Sequence, residues 1–175
     1  MNIYNAIHTA IQAHDQQKRK IDNDVYVTHP LEVGMLLAKN GFSDEIIVAG
    51  ILHDTIEDTL LNLESIREQF GEIVADYVNS CTEQNKSLPW LERKLAYLEH
   101  MENASTEVLF IICADKISNI KSIYRNQDES IWSKFNAGYD DQKWYYSSVL
   151  SALSSISEHV LYKELDYYIK EVFKI

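Results

Sequence analysis

Residues 50–59 read GILHDTIEDT and are the most informative stretch of the chain. They place His53 and Asp54 at the end of an apolar run, and Glu57 and Asp58 one helical turn later. Such polar side chains are costly to bury unless they find partners, and a divalent metal ion would satisfy them. Because residues four apart share a face of a helix, the spacing predicts Glu57 beside His53 and Asp58 beside Asp54. The stretch therefore predicts a helix that carries two metal-ligand side chains and two further carboxylates.

Two other segments supply side chains of the same kinds. His29 lies in the sequence VTHP, and Asp115 ends an apolar run that is typical of a buried helix. Asn119 and Ser122 follow Asp115 by four and seven residues, so all three can line one face. Imidazole with carboxylate suits Mn, Fe or Zn better than Ca or Mg. The predicted metal ligands are His29, His53, Asp54 and Asp115.

Each of these residues also has an ordinary structural interpretation. Taken alone, His29 is more often a hydrogen-bonded or surface histidine than a ligand. Asp115 could form an ion pair with Lys116 or Lys121 at the end of a helix. Together, the structural interpretations require several unrelated buried polar groups, whereas one metal site explains them all.

The composition is that of an ordinary soluble globular protein. The chain has 175 residues, 46% of them hydrophobic and 25% charged, which suggests one domain. Cys81 and Cys113 lie in apolar surroundings and are predicted to be core residues and not a disulfide. No apolar run is long enough to span a membrane, and the first residues do not resemble a secretory signal, so we expect a cytoplasmic protein.

The net charge of −11 argues against a nucleic-acid partner, because a phosphate backbone requires a basic face. A small phosphorylated substrate is compatible with this charge if a metal and a local basic patch offset the acidic field. The densest positive cluster is Lys18-Arg19-Lys20, just before the VTHP segment. An isolated basic triplet is more often a solvated loop.

Helical periodicity covers nearly the whole chain. Period-two alternation is absent, and there are only 5 Gly and 2 Pro, so an all-α helical bundle is predicted. The predicted helices are 3–17, 30–40, 43–58, 62–70, 72–82, 89–101, 106–124 and 140–173, the last with a bend near His159. The polar segments 84–89 and 125–130 are predicted loops.

The motifs, taken in order, resemble those of the HD superfamily of metal-dependent phosphohydrolases. More closely, they resemble the hydrolase domain of the RelA/SpoT family and its small stand-alone alarmone hydrolases. The matching segments run from about residue 13 to residue 124, with C-terminal helices at about 130–175. They are Arg19-Lys20 before YVTHPL (26–31), LHDTIEDT (52–59), FGEIVA (70–75), Trp90 with Arg93-Lys94, and ADKISNIK (114–121). The chain departs from the family in IDNDV (21–25), where a shorter loop containing glycine is usual, and in NSCT (79–82), which lacks the usual glycine.

The resemblance implies a single HD-type domain over residues 1–175. It implies removal of the 3′-diphosphate from guanosine tetra- and pentaphosphate, which gives GDP or GTP and pyrophosphate. The implied cofactor is Mn²⁺, with Fe or Zn as alternatives, and the implied partner is a small guanine nucleotide. The resemblance assigns metal ligation to the four residues above and catalysis to the Glu57–Asp58 pair. It assigns substrate binding to Arg19, Lys20, Asn119 and Ser122, although Arg19 could instead hold the site by ion pairing.

Two other functions stay open at this stage. The first is a different HD phosphohydrolase, such as a nucleotide phosphatase or an enzyme that removes the 2′-phosphate of NADPH. The second is a nucleotide sensor without catalysis, which the complete ligand set and the Glu57–Asp58 pair disfavour. Tyr139, Trp144 and Tyr145 are candidates for stacking on a base, and the sequence does not choose among them. It predicts no oligomeric state.

Overall fold

The protein is all-α in a computed structural model that describes residues 3–83, 86–126 and 128–175. Within these ranges there is no strand, and Lys18 and Val25 form an isolated antiparallel bridge. Two short 3₁₀ helices cover Glu129–Lys134 and Ser154–Ile156. The α-helices are α1 (Ile3–Ala13), α2 (Thr28–Lys39), α3 (Asp44–Leu52), α4 (Thr55–Asp58), α5 (Leu63–Phe70), α6 (Glu72–Cys81), α7 (Trp90–Glu102), α8 (Thr106–Arg125), α9 (Tyr139–Ala152) and α10 (Val160–Phe173). The predicted all-α fold is confirmed.

Helix α8 lies at the centre of the bundle. Its residues are buried on most sides, and it packs against α2, α3, α6 and α10. Ser105 caps the N-terminus of the helix, where its hydroxyl accepts a hydrogen bond from the Val108 amide at 3.4 Å. A helix surrounded in this way can carry a polar side chain only where that side chain meets partners. Asp115, in the middle of α8, is therefore constrained to face other polar groups.

Helices α2 and α3 approach each other closely because each has a glycine at the contact. A Cβ atom on Gly34 would lie 2.4 Å from Cγ1 of Ile51, and one on Gly50 would lie 2.4 Å from Cδ1 of Leu37. These distances are far below van der Waals contact, so a larger residue at either position would force the neighbouring side chain to shift. The close approach brings the first turn of α2, with His29, next to the end of α3, with His53.

The predicted helix over 43–58 is interrupted at the two central residues of its motif. Helix α3 ends at Leu52, and the short helix α4 begins at Thr55. The His53 imidazole donates to the Gly50 carbonyl at 2.8 Å, and the Thr55 hydroxyl donates to the Leu52 carbonyl at 2.6 Å. These side chains occupy carbonyls that a continuous helix would use for backbone bonds, which explains the break.

Two other helices differ from the predictions. The first helix ends at Ala13, so residues 14–27 form a longer connection than predicted. The predicted helix over 140–173 is two helices, because residues 153–159 contain a 3₁₀ turn and His159 has an extended backbone. Parts of the two predicted loops, Gln84, Asn85 and Gln127, lie outside the described residues.

Two predictions about burial and hydropathy can be compared directly with the structure. Cys81 and Cys113 are buried and free, as predicted. In the described ranges, none of the helices combines the length and the apolar character needed to cross a bilayer.

Candidate metal centre and cleft

The four predicted metal ligands converge, although they come from α2, the α3–α4 turn and α8. Nε2 of His29 lies 3.4 Å from Oδ2 of Asp54 and 3.3 Å from Oδ1 of Asp115. Nε2 of His53 lies 3.2 Å from Oδ1 of Asp54 and 3.7 Å from Oδ1 of Asp115. Ligand atoms of His29, His53 and Asp115 lie within 4.8 Å of one another, and all three residues are buried. One ion could therefore contact all four side chains.

Both histidines are oriented by hydrogen bonds on the side away from this centre. Nδ1 of His53 donates to the Gly50 carbonyl at 2.8 Å, so a neutral ring carries its lone pair on Nε2. Nδ1 of His29 lies 2.9 Å from the Ser118 hydroxyl, which donates to Glu32 at 2.8 Å. The serine oxygen is therefore free to accept from His29, and the His29 lone pair is also on Nε2. This arrangement of outer hydrogen bonds is the one that metal-binding histidines use.

The chemistry of the donor set fits a cation. Nε2 of His53 is buried and has no hydrogen-bond partner among the described residues. Burial alone would lower the pKa of His53, but the Asp54 and Asp115 carboxylates raise it well above its ordinary value. The carboxylates thus favour a positive charge beside Nε2 of His53. A divalent ion can supply that charge and bind the nitrogen and the carboxylate oxygens at the same time, whereas a proton cannot.

Asp115 uses its two oxygens differently. Oδ1 faces the histidines and accepts from the Asn119 amide at 2.5 Å, and Oδ2 pairs with Lys116 at 2.7 Å. The Asn119 side-chain oxygen in turn accepts from Arg19 at 3.2 Å. The ion pair with Lys116 therefore leaves Oδ1 facing the histidines, and Asn119, which is itself bonded to Arg19, helps to hold Asp115 in place.

The catalytic candidates Glu57 and Asp58 lie beside the metal centre. The Tyr26 hydroxyl is 2.6 Å from Oδ2 of Asp54 and 3.3 Å from Oδ2 of Asp58, so it links a ligand to a catalytic candidate. The Glu57 carboxylate accepts from the Glu83 amide at 3.1 Å. Burial raises the pKa of Glu57, which brings the carboxylate closer to the range of an effective general base.

Lys86 forms contacts with both of these carboxylates. Its ammonium lies 2.6 Å from Oδ1 of Asp58 and 3.4 Å from Oε1 of Glu57, and it donates to the Glu57 carbonyl at 2.8 Å. These contacts were not predicted, because Lys86 belongs to a predicted polar loop and gives no local signal. The contacts of the Tyr26 hydroxyl were not predicted either, although Tyr26 is part of the YVTHPL motif.

The metal centre lies in a cleft of about 540 Å³, a volume typical of small-molecule sites. The cleft lining includes five cationic side chains, which form the local basic patch that a phosphorylated substrate would require. They are Lys20, Lys86, Arg93, Lys94 and Lys116. Of the three candidates for base stacking, Tyr145 is in the lining, whereas Tyr139 and Trp144 are absent from it.

The four predicted substrate contacts divide into two groups. Lys20 and Asn119 line the cleft, whereas Arg19 and Ser122 are absent from its lining. The Ser122 hydroxyl donates to Asp22 at 2.8 Å, and Nε of Arg19 lies 3.9 Å from the same carboxylate. These two side chains brace the loop before α2, and direct contact of either with a substrate stays a prediction.

Comparisons with known proteins agree with this architecture. Residues 6–136 match the family model of the HD domain. The chain is 36% identical over 135 residues to the guanosine-3′,5′-bis(diphosphate) 3′-pyrophosphohydrolase MESH1 of Xenopus tropicalis, covering 75% of this chain and 74% of that protein. It is 34% identical over 128 residues to the human MESH1, covering 71% and 70% of the two chains.

Two solved structures share the fold over most of their length. One is lmo0812 from Listeria monocytogenes, with 40% identity and a TM-score of 0.77 over 84% of this chain and 94% of that one. The other is a metazoan ortholog of SpoT that hydrolyses ppGpp, with 25% identity and a TM-score of 0.79 over 98% and 93%.

Proposed function

The chain belongs to the HD domain family, and we propose that it is a 3′-pyrophosphohydrolase of guanosine tetra- and pentaphosphate. The observation that carries the proposal is the convergence of two histidines and two aspartates beside Glu57 and Asp58, in a cleft lined by cations. The MESH1 relatives, matched over about three quarters of their length or slightly less, carry this activity in their names. A hydrolase that acts on a small nucleotide is the function best supported by the site and the relatives together.

We propose Mn²⁺ as the cofactor, held by His29, His53, Asp54 and Asp115. Two imidazoles and two carboxylates form a donor set that suits this ion, and the buried lone pair on His53 supports a metal at this position. When bound, the ion would supply Lewis-acid chemistry, by acidifying water and polarising phosphoryl oxygens.

The residues of the chain would then act on water and on the substrate. Glu57 accepts a proton from the attacking water, and Asp58, held by Tyr26 and Lys86, orients that water. The water oxygen forms a bond to the phosphorus attached to the ribose 3′ oxygen, the bond between that phosphorus and the 3′ oxygen breaks, and the 3′ oxygen takes up a proton. The products are GDP or GTP and pyrophosphate, and the cationic lining offsets the charge on the phosphoryl oxygens.

The decisive experiment incubates the purified protein with guanosine tetraphosphate, with and without Mn²⁺, and measures pyrophosphate and phosphate separately. The proposal requires metal-dependent release of pyrophosphate. Release of phosphate alone would instead indicate a phosphatase, and NADPH is the substrate to compare in that case. Nucleotide binding without turnover would indicate a sensor.

Two variants separate the roles of the side chains. Asp54→Ala should lose both metal binding and turnover. Glu57→Gln should keep the metal and lose roughly 10²–10⁴-fold in kcat, the usual contribution of a general base. Glu68→Gln, which changes an exposed carboxylate on α5, is the matched control and should keep full activity. Full activity of Asp54→Ala would refute the assignment.

A further inference from the structure

The backbone carbonyl of Asp58 is held by a side chain from a distant part of the chain. Helix α4 has only four residues, and Asp58 is the last of them, so its carbonyl is one that the helix itself leaves unpaired. A helix this short is unstable unless tertiary contacts hold it. The Gln17 side-chain amide donates to the Asp58 carbonyl at 2.8 Å, from 41 residues earlier in the sequence. Asp58 is therefore fixed at its backbone as well as at its carboxylate.

His14 orients the Gln17 side chain. Nδ1 of His14, a residue only 3% exposed, lies 2.8 Å from Oε1 of Gln17. Because the Asp58 carbonyl can only accept, the end of the Gln17 amide that faces it must be the NH₂ group. The other end is then an oxygen, and Nδ1 of His14 must carry a proton and donate to it. The hydrogen bonds thus run in one direction from His14 through Gln17 to Asp58, and reversing the Gln17 amide would break both.

The same two residues also hold Tyr26. The Gln17 carbonyl accepts from the Tyr26 backbone amide at 2.9 Å, and the ring centroids of His14 and Tyr26 are 4.8 Å apart. The Tyr26 hydroxyl lies 2.6 Å from Oδ2 of Asp54 and 3.3 Å from Oδ2 of Asp58. His14 and Gln17 therefore act on Asp58 at two points, directly at its carbonyl and through Tyr26 at its carboxylate.

We propose that His14 and Gln17 are positioning residues that hold Asp58 in the orientation needed to direct the attacking water. The proposal rests on the proposed function, in which Asp58 orients that water. Both residues are absent from the cleft lining, so they act through Asp58 and not on the substrate. Because a small displacement of an orienting group slows a reaction without weakening the binding of substrate, their loss should lower kcat and leave KM unchanged.

Replacing Gln17 with Met removes both side-chain hydrogen bonds and keeps a side chain of similar length. Gln17 is partly exposed, so the variant should fold. Gln12→Met, which makes the same change at an exposed position of α1, is the matched control. His14→Phe is the second variant. It keeps an aromatic ring against Tyr26 and removes the Nδ1 donor, so it should change the same quantities as Gln17→Met.

The first measurement is amide hydrogen exchange, followed by NMR in metal-free protein without substrate. The Asp58 amide donates to the Asp54 carbonyl at 2.9 Å and the Thr59 amide to the Thr55 carbonyl at 3.2 Å, so both amides report on α4. Without the Gln17 bond they should exchange about five-fold faster relative to the amides of α8, the usual contribution of one hydrogen bond. The control variant should keep the wild-type ratio. An unchanged ratio in Gln17→Met would overturn the proposal.

The second measurement is steady-state hydrolysis of guanosine tetraphosphate with Mn²⁺. Gln17→Met should lose roughly ten-fold or more in kcat, with KM and the Mn²⁺ affinity unchanged. The Gln12→Met control should match the wild type in all three quantities. A raised KM with unchanged kcat in Gln17→Met would contradict a positioning role.

The two measurements separate this proposal from the proposed function. Hydrolysis by the wild type together with an unchanged kcat in Gln17→Met would reject the positioning role and keep the function. Faster exchange at Asp58 in Gln17→Met, without any hydrolysis of the nucleotide by the wild type, would keep the hold on Asp58 and reject the function.

Discussion

Replacing Ser118 with Ala should weaken metal binding although Ser118 is not a ligand. The Ser118 hydroxyl lies 2.9 Å from Nδ1 of His29 and donates to Glu32 at 2.8 Å. It therefore determines which imidazole nitrogen carries the proton and which carries the lone pair that faces Asp54 and Asp115. Without the hydroxyl, His29 loses the acceptor that fixes both its orientation and its tautomer.

The expected magnitude follows from what each partner loses. His29 is 3% exposed, so its Nδ1 proton would stay unpaired and the folded state would lose about 1–3 kcal/mol. Glu32 contributes less, because its partly exposed side chain keeps Arg125 at 3.4 Å. Loss of such an outer hydrogen bond typically lowers metal affinity 10–100-fold, which corresponds to roughly 1.4–2.7 kcal/mol.

Two measurements test this reasoning. Competition with a chromophoric chelator gives the Mn²⁺ affinity, and urea denaturation of the metal-free protein gives the free energy of unfolding. The matched control is Ser148→Ala on α9, where the hydroxyl donates to the Trp144 carbonyl at 2.9 Å. That variant should bind metal like the wild type. Wild-type affinity in Ser118→Ala would refute the role assigned to the outer hydrogen bond.

Three further predictions concern other contacts. Lys86→Met should move the acidic limb of the pH profile of kcat/KM to higher pH, because Lys86 lowers the pKa of Glu57 and only ionised Glu57 can act as a base. Lys86→Arg keeps the positive charge and should leave that limb in place. Gly50→Ala should lower the free energy of unfolding by about 1–3 kcal/mol, because the alanine Cβ would lie 2.4 Å from Cδ1 of Leu37. An unchanged midpoint in urea denaturation would contradict this packing argument. Ser122→Ala should raise KM with little change in kcat, because it removes a brace of the loop before α2, and a loss confined to kcat would contradict that role.

The grouping of these polar side chains could be predicted from the sequence because they interrupt apolar runs. His53 and Asp54 follow seven buried residues of α3, and Asp115 lies within the most buried helix of the bundle. At such positions a polar side chain must have partners, so its type and position carry information even before the fold is known. The helical fold could be predicted for a similar reason, since the apolar spacing recurs along almost every segment.

The break between α3 and α4 could not be predicted from periodicity. It depends on His53 and Thr55 side chains that compete with the backbone for the carbonyls of Gly50 and Leu52. Both residues are also compatible with a continuous helix, and the choice depends on where the imidazole must point. The pattern of apolar residues is the same in either case.

The contacts of Lys86 and Ser122 depend on long-range packing, which leaves no local signal. Lys86 reaches Glu57 and Asp58, which precede it by 29 and 28 residues. Ser122 meets Asp22, which precedes it by 100 residues. Asp22 belongs to the segment 21–25, in which the chain departs from the family pattern.

The charges of the cleft explain how an acidic chain can hold a polyanion. In the part of the chain that the structure describes, ten charged side chains line the cleft, five of each sign. Without metal, their formal charges cancel, which limits the cost of placing lysines and carboxylates close together out of water. A divalent ion at the histidine–aspartate centre leaves a surplus of two positive charges. The ion therefore favours anion binding, and by linkage an anion in the cleft favours binding of the ion to the same extent.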